Sequence, residues 1–197
     1  MNAYDQVLAL QPENPDVLYM KGLKLEEEGE VKAAIETYQK TCSIAPQNYW
    51  AVDKLGGLMF EQNQLTEATS VYKKGIENHP LNSSLSINLA ELYQKSGNSE
   101  MAIQVLDKAF QLQPSSLALS QKLAEAYEEA SQYKEARVIL EKSISFKDAN
   151  EKAIRIKMAQ LESKQGNWII AKEILEPLLA TEDVYSESVW NLSLIHI

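Results

Sequence analysis

The sequence has few of the residues that disulfides, metal sites and polyanion-binding surfaces require. It contains one cysteine and two histidines, so no intramolecular disulfide can form and no pair of His or Cys residues has the spacing of metal ligands. Its formal net charge is −9, and arginine occurs only at Arg137 and Arg155. Because nucleic acids and phosphopeptides are bound by clustered cations, neither is an expected partner.

Long apolar runs and catalytic motifs are also missing. No apolar run approaches the roughly 18 residues that span a bilayer, and the N-terminus lacks the blocks of a signal peptide. The motifs G-x-S-x-G, G-x-x-x-x-G-K and G-x-G-x-x-G do not occur. Cys42 has no neighbouring His to activate it, so a buried structural thiol is the simpler interpretation. The sequence therefore predicts no enzyme, no cofactor and no metal. It leaves the compartment open, with the cytoplasm as the default.

What the sequence does contain is a period of 34 residues. Four of its six prolines follow this spacing, namely Pro12, Pro46, Pro80 and Pro114. A small residue recurs at one position of each unit: Gly22, Gly56, Ala90, Ala124 and Ala159. An alanine recurs at a second position: Ala34, Ala68, Ala102, Ala136 and Ala171. A large residue recurs at a third: Tyr38, Tyr72, Leu106, Leu140 and Leu175. Such self-similarity is typical of stacked helix–turn–helix repeats.

The residues that begin and end helices keep the same period. Good N-cap residues precede the first helix of each unit: Asn14, Asn48, Asn82, Ser116 and Asn150. Residues that tolerate a left-handed backbone lie between the two helices of each unit: Gly29, Asn63, Gly97, Ser131 and Gly166. Because caps, turns and apolar positions agree, the pattern predicts two helices, A and B, in every unit.

With a small residue, an alanine, a large residue and a proline at these positions, the sequence resembles the tetratricopeptide repeat (TPR) family. The resemblance covers about residues 1–191 and implies an all-α fold, a right-handed α-solenoid of antiparallel helix–turn–helix repeats. We expect a partial repeat with helix B only at 1–14, repeats at 15–48, 49–82, 83–116, 117–151 (with a one-residue insertion) and 152–185, and a truncated helix A at 186–191.

The fifth repeat and the C-terminus depart from this pattern. Asp148 replaces the expected proline, and Pro177 falls inside helix B, where it removes an N–H and should kink or break the helix near Glu176. The last six residues, 192–197, resemble the translation of a transposase-derived sequencing adaptor; the alternative is that they are genuine helix A residues. The adaptor interpretation would make the chain a fragment of a longer repeat protein.

In the TPR family, positions 2, 5, 9 and 12 of each helix A face a concave groove. The resemblance places apolar and aromatic residues in the first half of this groove, namely Tyr19, Leu23, Trp50, Phe60 and Ile87, and acidic residues such as Glu125 and Glu128 in its middle. Large rigid side chains suit an extended peptide or a partner helix because they bury much area at low entropic cost. The alternative is that Trp50 and Phe60 pack against neighbouring helices and line nothing.

A subset of the family grips C-terminal carboxylates with a clamp of Lys, Asn, Asn, Lys and Arg. The corresponding residues here are Asp53, Gly57, Asn88, Ala118 and Lys122. Only Asn88 matches, Lys122 is a partial match to the Arg, and the carboxylates of Asp53 and Glu91 would repel an anionic tail. The resemblance therefore implies no such clamp. The candidate ligand-binding residues are Tyr19, Leu23, Trp50, Asp53, Phe60, Ile87, Asn88, Glu91 and Lys122.

The sequence predicts a non-catalytic protein–protein interaction scaffold that binds a peptide or helix in this groove. Two alternatives stay open: a regulatory or substrate-presenting arm of a larger enzyme, such as a glycosyltransferase, and a membrane-anchored assembly factor. A catalytic domain, a lipoprotein signal or a transmembrane segment in flanking sequence would decide between them. The sequence indicates no direct membrane insertion, and it leaves the oligomeric state unknown.

Overall fold

The computed structural model describes residues 3–145 and 151–179, and within these ranges the protein is all-α. The described helices are α1 Ala3–Leu10, α2 Pro15–Glu27, α3 Val31–Ile44, α4 Tyr49–Glu61, α5 Leu65–Asn78, α6 Ser83–Lys95, α7 Ser99–Leu112, α8 Leu117–Glu129, α9 Tyr133–Ile144, α10 Glu151–Lys164 and α11 Trp168–Leu179. The chain divides into two compact units, Met1–Asn98 and Ser99–Ile197. Within each unit, every helix packs against the next one along the chain.

Four of the predicted N-caps form the expected hydrogen bonds. The Asn14 side chain accepts from the backbone N–H groups of Asp16 and Val17. Asn48, Asn82 and Ser116 each accept one such bond from the residue three positions later. Each cap satisfies a backbone donor that the helix leaves unpaired, which stabilises the helix by about 1 kcal/mol. Asn150, the fifth predicted cap, lies outside the described residues.

All five predicted turns between helices A and B adopt the left-handed backbone conformation. Their φ angles are +77° at Gly29, +59° at Asn63, +75° at Gly97, +60° at Ser131 and +79° at Gly166. In each turn the next residue's N–H bonds to the carbonyl five residues back, as in the bond from Glu30 to Leu25. This is the Schellman arrangement, which closes a helix and reverses the chain.

The small and large residues of the repeat contact each other in the core of the first unit. A Cβ added to Gly56 would lie 2.5 Å from Cζ of Tyr72, and one added to Gly22 would overlap the Tyr38 ring. Both tyrosines are buried, at 3% and 0% exposure. The repeats that have leucine in place of this tyrosine have alanine in place of this glycine. Ala124 and Leu140 lie in one hydrophobic cluster, and Ala159 and Leu175 lie in another. The small and the large position therefore share one space in the core, so that a larger residue at one position is matched by a smaller residue at the other.

The core of the second unit includes a carboxylate. Glu162 is only 3% exposed, at a position of the repeat where the other repeats have Leu, Met or Tyr. Nη1 of Arg137 donates to its Oε1 at 2.9 Å, and Nδ2 of Asn167 donates to its Oε2 at 2.8 Å. Because both oxygens have a donor, the buried charge is compensated.

The structure contradicts one of the two outcomes predicted for Pro177, the break, and leaves the kink a prediction. Helix α11 continues through this residue to Leu179 instead of breaking near Glu176. The missing N–H falls in the last turn of the described helix, so the bonds of the preceding turns still hold the segment. Asp148, the truncated helix at 186–191 and the six residues 192–197 lie outside the described residues, and the division into repeats stays a prediction. Among the described helices, none is long and apolar enough to cross a membrane.

Candidate functional site

Eight of the nine candidate ligand-binding residues lie on α2, α4 and α6 of the first unit. Side chains join these three helices to one another. Nζ of Lys54 on α4 lies 2.9 Å from Oε1 of Glu26 on α2, and Nδ2 of Asn88 on α6 donates to Oδ1 of Asp53 on α4 at 2.6 Å. We call this surface the α2–α4–α6 face.

The aromatic residues of this face differ in exposure. Trp50 is 57% exposed, and its ring centre lies 4.4 Å from that of its chain neighbour Tyr49. Phe60 is half-buried, and Nζ of Lys95 lies 4.4 Å from its ring centre, within cation–π range. Tyr19, Leu23 and Ile87 are also half-buried. The α2–α4–α6 face thus combines one exposed tryptophan with a set of partly exposed apolar side chains.

Glu26 is held from two sides. The Tyr38 hydroxyl donates to its Oε2 at 3.0 Å, and Lys54 neutralises its charge through Oε1. Burial raises the pKa of Tyr38, and its hydrogen bond to Glu26 raises it further. Burial also raises the pKa of Tyr19, while the nearby Lys54 ammonium opposes that change. Glu26 and Lys54 are therefore parts of the framework of this face.

Asp53 is held by a neutral donor. Burial raises the pKa of its carboxyl group, and the hydrogen bond from Asn88 and the charge of Lys54 partly offset this effect. The hydroxyl of Tyr72, on helix α5, donates to the backbone carbonyl of Asp53 at 3.5 Å, and burial and the Asp53 charge raise its pKa. Asn88 thus bridges α4 and α6.

Lys122 belongs to the second unit, where the expected acidic stretch is largely paired. Nζ of Lys122 lies 3.8 Å from Glu125. Nζ of Lys157 lies 3.4 Å from Glu125 and 3.5 Å from Glu128, and Lys164 also pairs with Glu128. Lysines two turns apart on helix α10 thus pair with these two glutamates, and the acidic middle of a groove stays a prediction.

The described residues hold no group of three His, Cys, Asp or Glu side chains arranged to bind a metal ion. Cys42 is half-buried, and burial raises the pKa of its thiol to about 11. At neutral pH this thiol is protonated and therefore a poor nucleophile.

Models of the tetratricopeptide repeat family match residues 2–49 and residues 71–104. The chain is a tetratricopeptide repeat protein. Its all-α architecture is the TPR α-solenoid, and repeats of this family generally serve as non-catalytic modules that bind proteins or peptides.

Solved structures share the fold of this TPR protein at low sequence identity. YrrB, described as a TPR protein with an unusual peptide-binding site, superposes with a TM-score of 0.65 at 14% identity, covering 98% of this chain and 99% of its own. MamA gives 0.62 at 20% identity, with 87% and 97% covered. PilF of Pseudomonas aeruginosa gives 0.64 at 17% identity, with 96% and 86% covered. Among curated proteins, no sequence matches the chain.

Five residues that make the contacts of this face were not among the nine candidates: Glu26, Tyr38, Lys54, Tyr72 and Lys95. Lys54 follows its partner Glu26 by 28 residues, and Asn88 follows Asp53 by 35. For the pairs between A helices, the signal that could have found them is complementary chemistry at about one repeat length, because stacking brings equivalent turns of successive A helices together.

Proposed function

We propose that this TPR protein is a non-catalytic interaction scaffold that binds a peptide or a helix of a partner protein on the α2–α4–α6 face. The observation that carries the proposal is the 57% exposure of Trp50 on a helix whose neighbours are cross-linked by polar contacts. A tryptophan that the protein's own core does not use supplies a large contact area for a partner.

The framework around Trp50 is suited to binding because it is held in place before a partner arrives. The Lys54–Glu26 pair and the Asn88–Asp53 hydrogen bond fix the relative positions of α2, α4 and α6. Binding to such a surface avoids much of the entropic cost of ordering loops and side chains. YrrB, which shares the fold and has a peptide-binding site, is consistent with this use of the fold.

The same contacts argue against a C-terminal carboxylate as the ligand. Asp53 stands where the carboxylate clamp of the family carries a lysine, and the amide of Asn88, the single matching residue, donates to Asp53 instead. Lys122 lies within reach of Glu125. An anionic tail would meet the carboxylate of Asp53 and an amide that already donates to that carboxylate, so we do not propose such a ligand. We also propose neither nucleic acid as a partner nor a reaction at this face.

The experiment is selection of phage-displayed random 16-residue peptides on the full chain, followed by measurement of each Kd by fluorescence anisotropy. Replacing Trp50 and Phe60 with Ala should weaken binding at least tenfold, because buried aromatic anchors carry much of the binding energy of such interfaces. Helicity by circular dichroism should be nearly unchanged.

The matched control is Trp168→Ala, which removes a 40% exposed tryptophan from helix α11 in the second unit. This variant should keep wild-type affinity. Peptides that bind the Trp50→Ala/Phe60→Ala variant as tightly as wild type would contradict the proposal, and a large loss of helicity in that variant would instead make the two residues part of the core.

A further inference from the structure

We propose that the partner segment bound by the α2–α4–α6 face presents a lysine or arginine side chain, which enters a notch over Gly57 and pairs with the carboxylate of Asp53. This inference rests on the proposed function and names the chemistry of the partner.

The notch exists because Gly57 lies inside helix α4 without a structural reason for glycine. A Cβ added at Gly57 would have one neighbour within 4 Å, the Tyr72 hydroxyl at 3.9 Å, which is ordinary contact. At the adjacent Gly56, a Cβ would meet the Tyr72 ring at 2.5 Å, so packing requires glycine there. Gly57 has no positive φ. A glycine in a helix interior is destabilising, and here neither packing nor backbone conformation compensates for it.

Asp53 lies one turn before Gly57, on the same face of the helix. Its side-chain hydrogen bond comes from the neutral amide of Asn88, and Lys54, whose charge acts on Asp53, is paired with Glu26 at 2.9 Å. The half-buried carboxylate is thus hydrogen-bonded without an ion pair among the described residues.

Lys54, whose charge acts on Asp53, is already paired with Glu26, and the charges that act at the base of the notch are negative. The Tyr72 hydroxyl, which lies at its base, feels the negative charges of Asp53, Glu91 and Glu61, each of which raises its pKa. A cationic side chain complements this field, whereas an anionic one is repelled. Charge complementarity therefore favours a lysine or arginine side chain of the partner in the notch.

The aromatic residues of helix α4 favour the same occupant. Phe60 already holds the ammonium group of Lys95 at 4.4 Å from its ring centre, which shows that a cation is stable over an aromatic ring of this face. Trp50 precedes Asp53 by three residues and so lies on the same side of the helix, more than half exposed. The stem of a lysine or arginine can pack on such a ring while its charge reaches Asp53.

The test uses the peptides selected on the full chain and the variant Asp53→Asn. This variant keeps an oxygen that accepts from Asn88, so the framework is retained while the charge is removed. The selected peptides should share a lysine or arginine beside apolar residues, and Asp53→Asn should raise their Kd about tenfold. Replacing the peptide lysine with norleucine should give a similar loss on the wild type and little additional loss on Asp53→Asn.

Two further variants make the result specific. Glu77→Gln removes one charge from an exposed position of helix α5, outside the α2–α4–α6 face, and should leave Kd unchanged. Gly57→Leu fills the notch and should weaken binding about as much as Asp53→Asn, whereas Gly57→Ala should bind more weakly than wild type but more tightly than Gly57→Leu. If Asp53→Asn does not fold, the Gly57 pair carries the test.

The outcomes separate this inference from the proposed function. Peptides that need Trp50 and Phe60 but lack a common cation, or that bind Asp53→Asn within twofold of wild type, overturn the inference and leave the proposed function standing. If no peptide is selected, or if selected peptides ignore Trp50 and Phe60, both fail.

Discussion

Adjacent glycines in helix α4 should respond in opposite directions to the same substitution. Gly57→Ala should stabilise the protein by about 0.5–1 kcal/mol, because alanine is a better helix former and the new Cβ meets only the Tyr72 hydroxyl at 3.9 Å. Gly56→Ala gains the same stability from helix propensity, but its Cβ would lie 2.5–2.7 Å from three carbons of the Tyr72 ring. Relieving these contacts requires the ring or the helix to move.

The magnitude follows from comparing the two variants. Both positions are interior to α4, so the helix-propensity terms cancel in the difference and the packing term remains. Overpacking of a buried site typically costs about 1–3 kcal/mol, and the Tyr72 ring, 3% exposed and packed between helices, has little room to yield. We therefore expect Gly56→Ala to be less stable than Gly57→Ala by about 1–3 kcal/mol.

Urea denaturation followed by circular dichroism measures the difference, with a second probe to check that the two compact units unfold together. The reasoning would be refuted if Gly56→Ala matched or exceeded the stability of Gly57→Ala. A matching test is available at Gly22, whose Cβ would overlap Tyr38 in the same way.

Three further predictions concern the turns, the buried carboxylate and the thiol. Ser131→Gly should raise the thermal midpoint, with a gain of about 1–2 kcal/mol, because serine is strained at φ +60°; a lower midpoint would contradict the assignment of this turn. Arg137→Ala should destabilise by about 1–3 kcal/mol, since it leaves Glu162 with a single donor, and adding Glu162→Leu should recover most of the loss in urea titrations. Cys42, whose thiol pKa is raised to about 11, should react slowly with a thiol reagent at pH 8 in the folded protein and quickly in urea; equal rates would show an exposed thiolate.

Local features of the fold could be predicted because each depends on a few neighbouring residues. The Asn14 cap bonds to N–H groups two and three residues away, and the turn at Asn63 requires only a residue that tolerates positive φ. Pro177 shows the limit of such rules, since the effect of a helical proline depends on how many bonds remain around it.

The candidate site could be predicted only in part. Family positions identified the residues of α2, α4 and α6, but not the way in which they pair. The stacking of the helices decides which polar side chains meet. It brings together residues 28 to 35 positions apart in the sequence, namely Asn88 with Asp53, Lys54 with Glu26 and Lys157 with Glu128. A one-turn shift between these helices would give other partners.

The sequence by itself determined the period, the capping and turn residues, and the positions of small and large core residues, because capping, backbone strain and side-chain volume act over short distances. Only the tertiary structure decided which polar groups are already satisfied and which surface is left for a partner. Trp50 and Tyr72 are both large aromatic residues, yet one is 57% exposed and the other 3% exposed. Burial depends on what the neighbouring helices place against a side chain, and that is known only once the helices are packed.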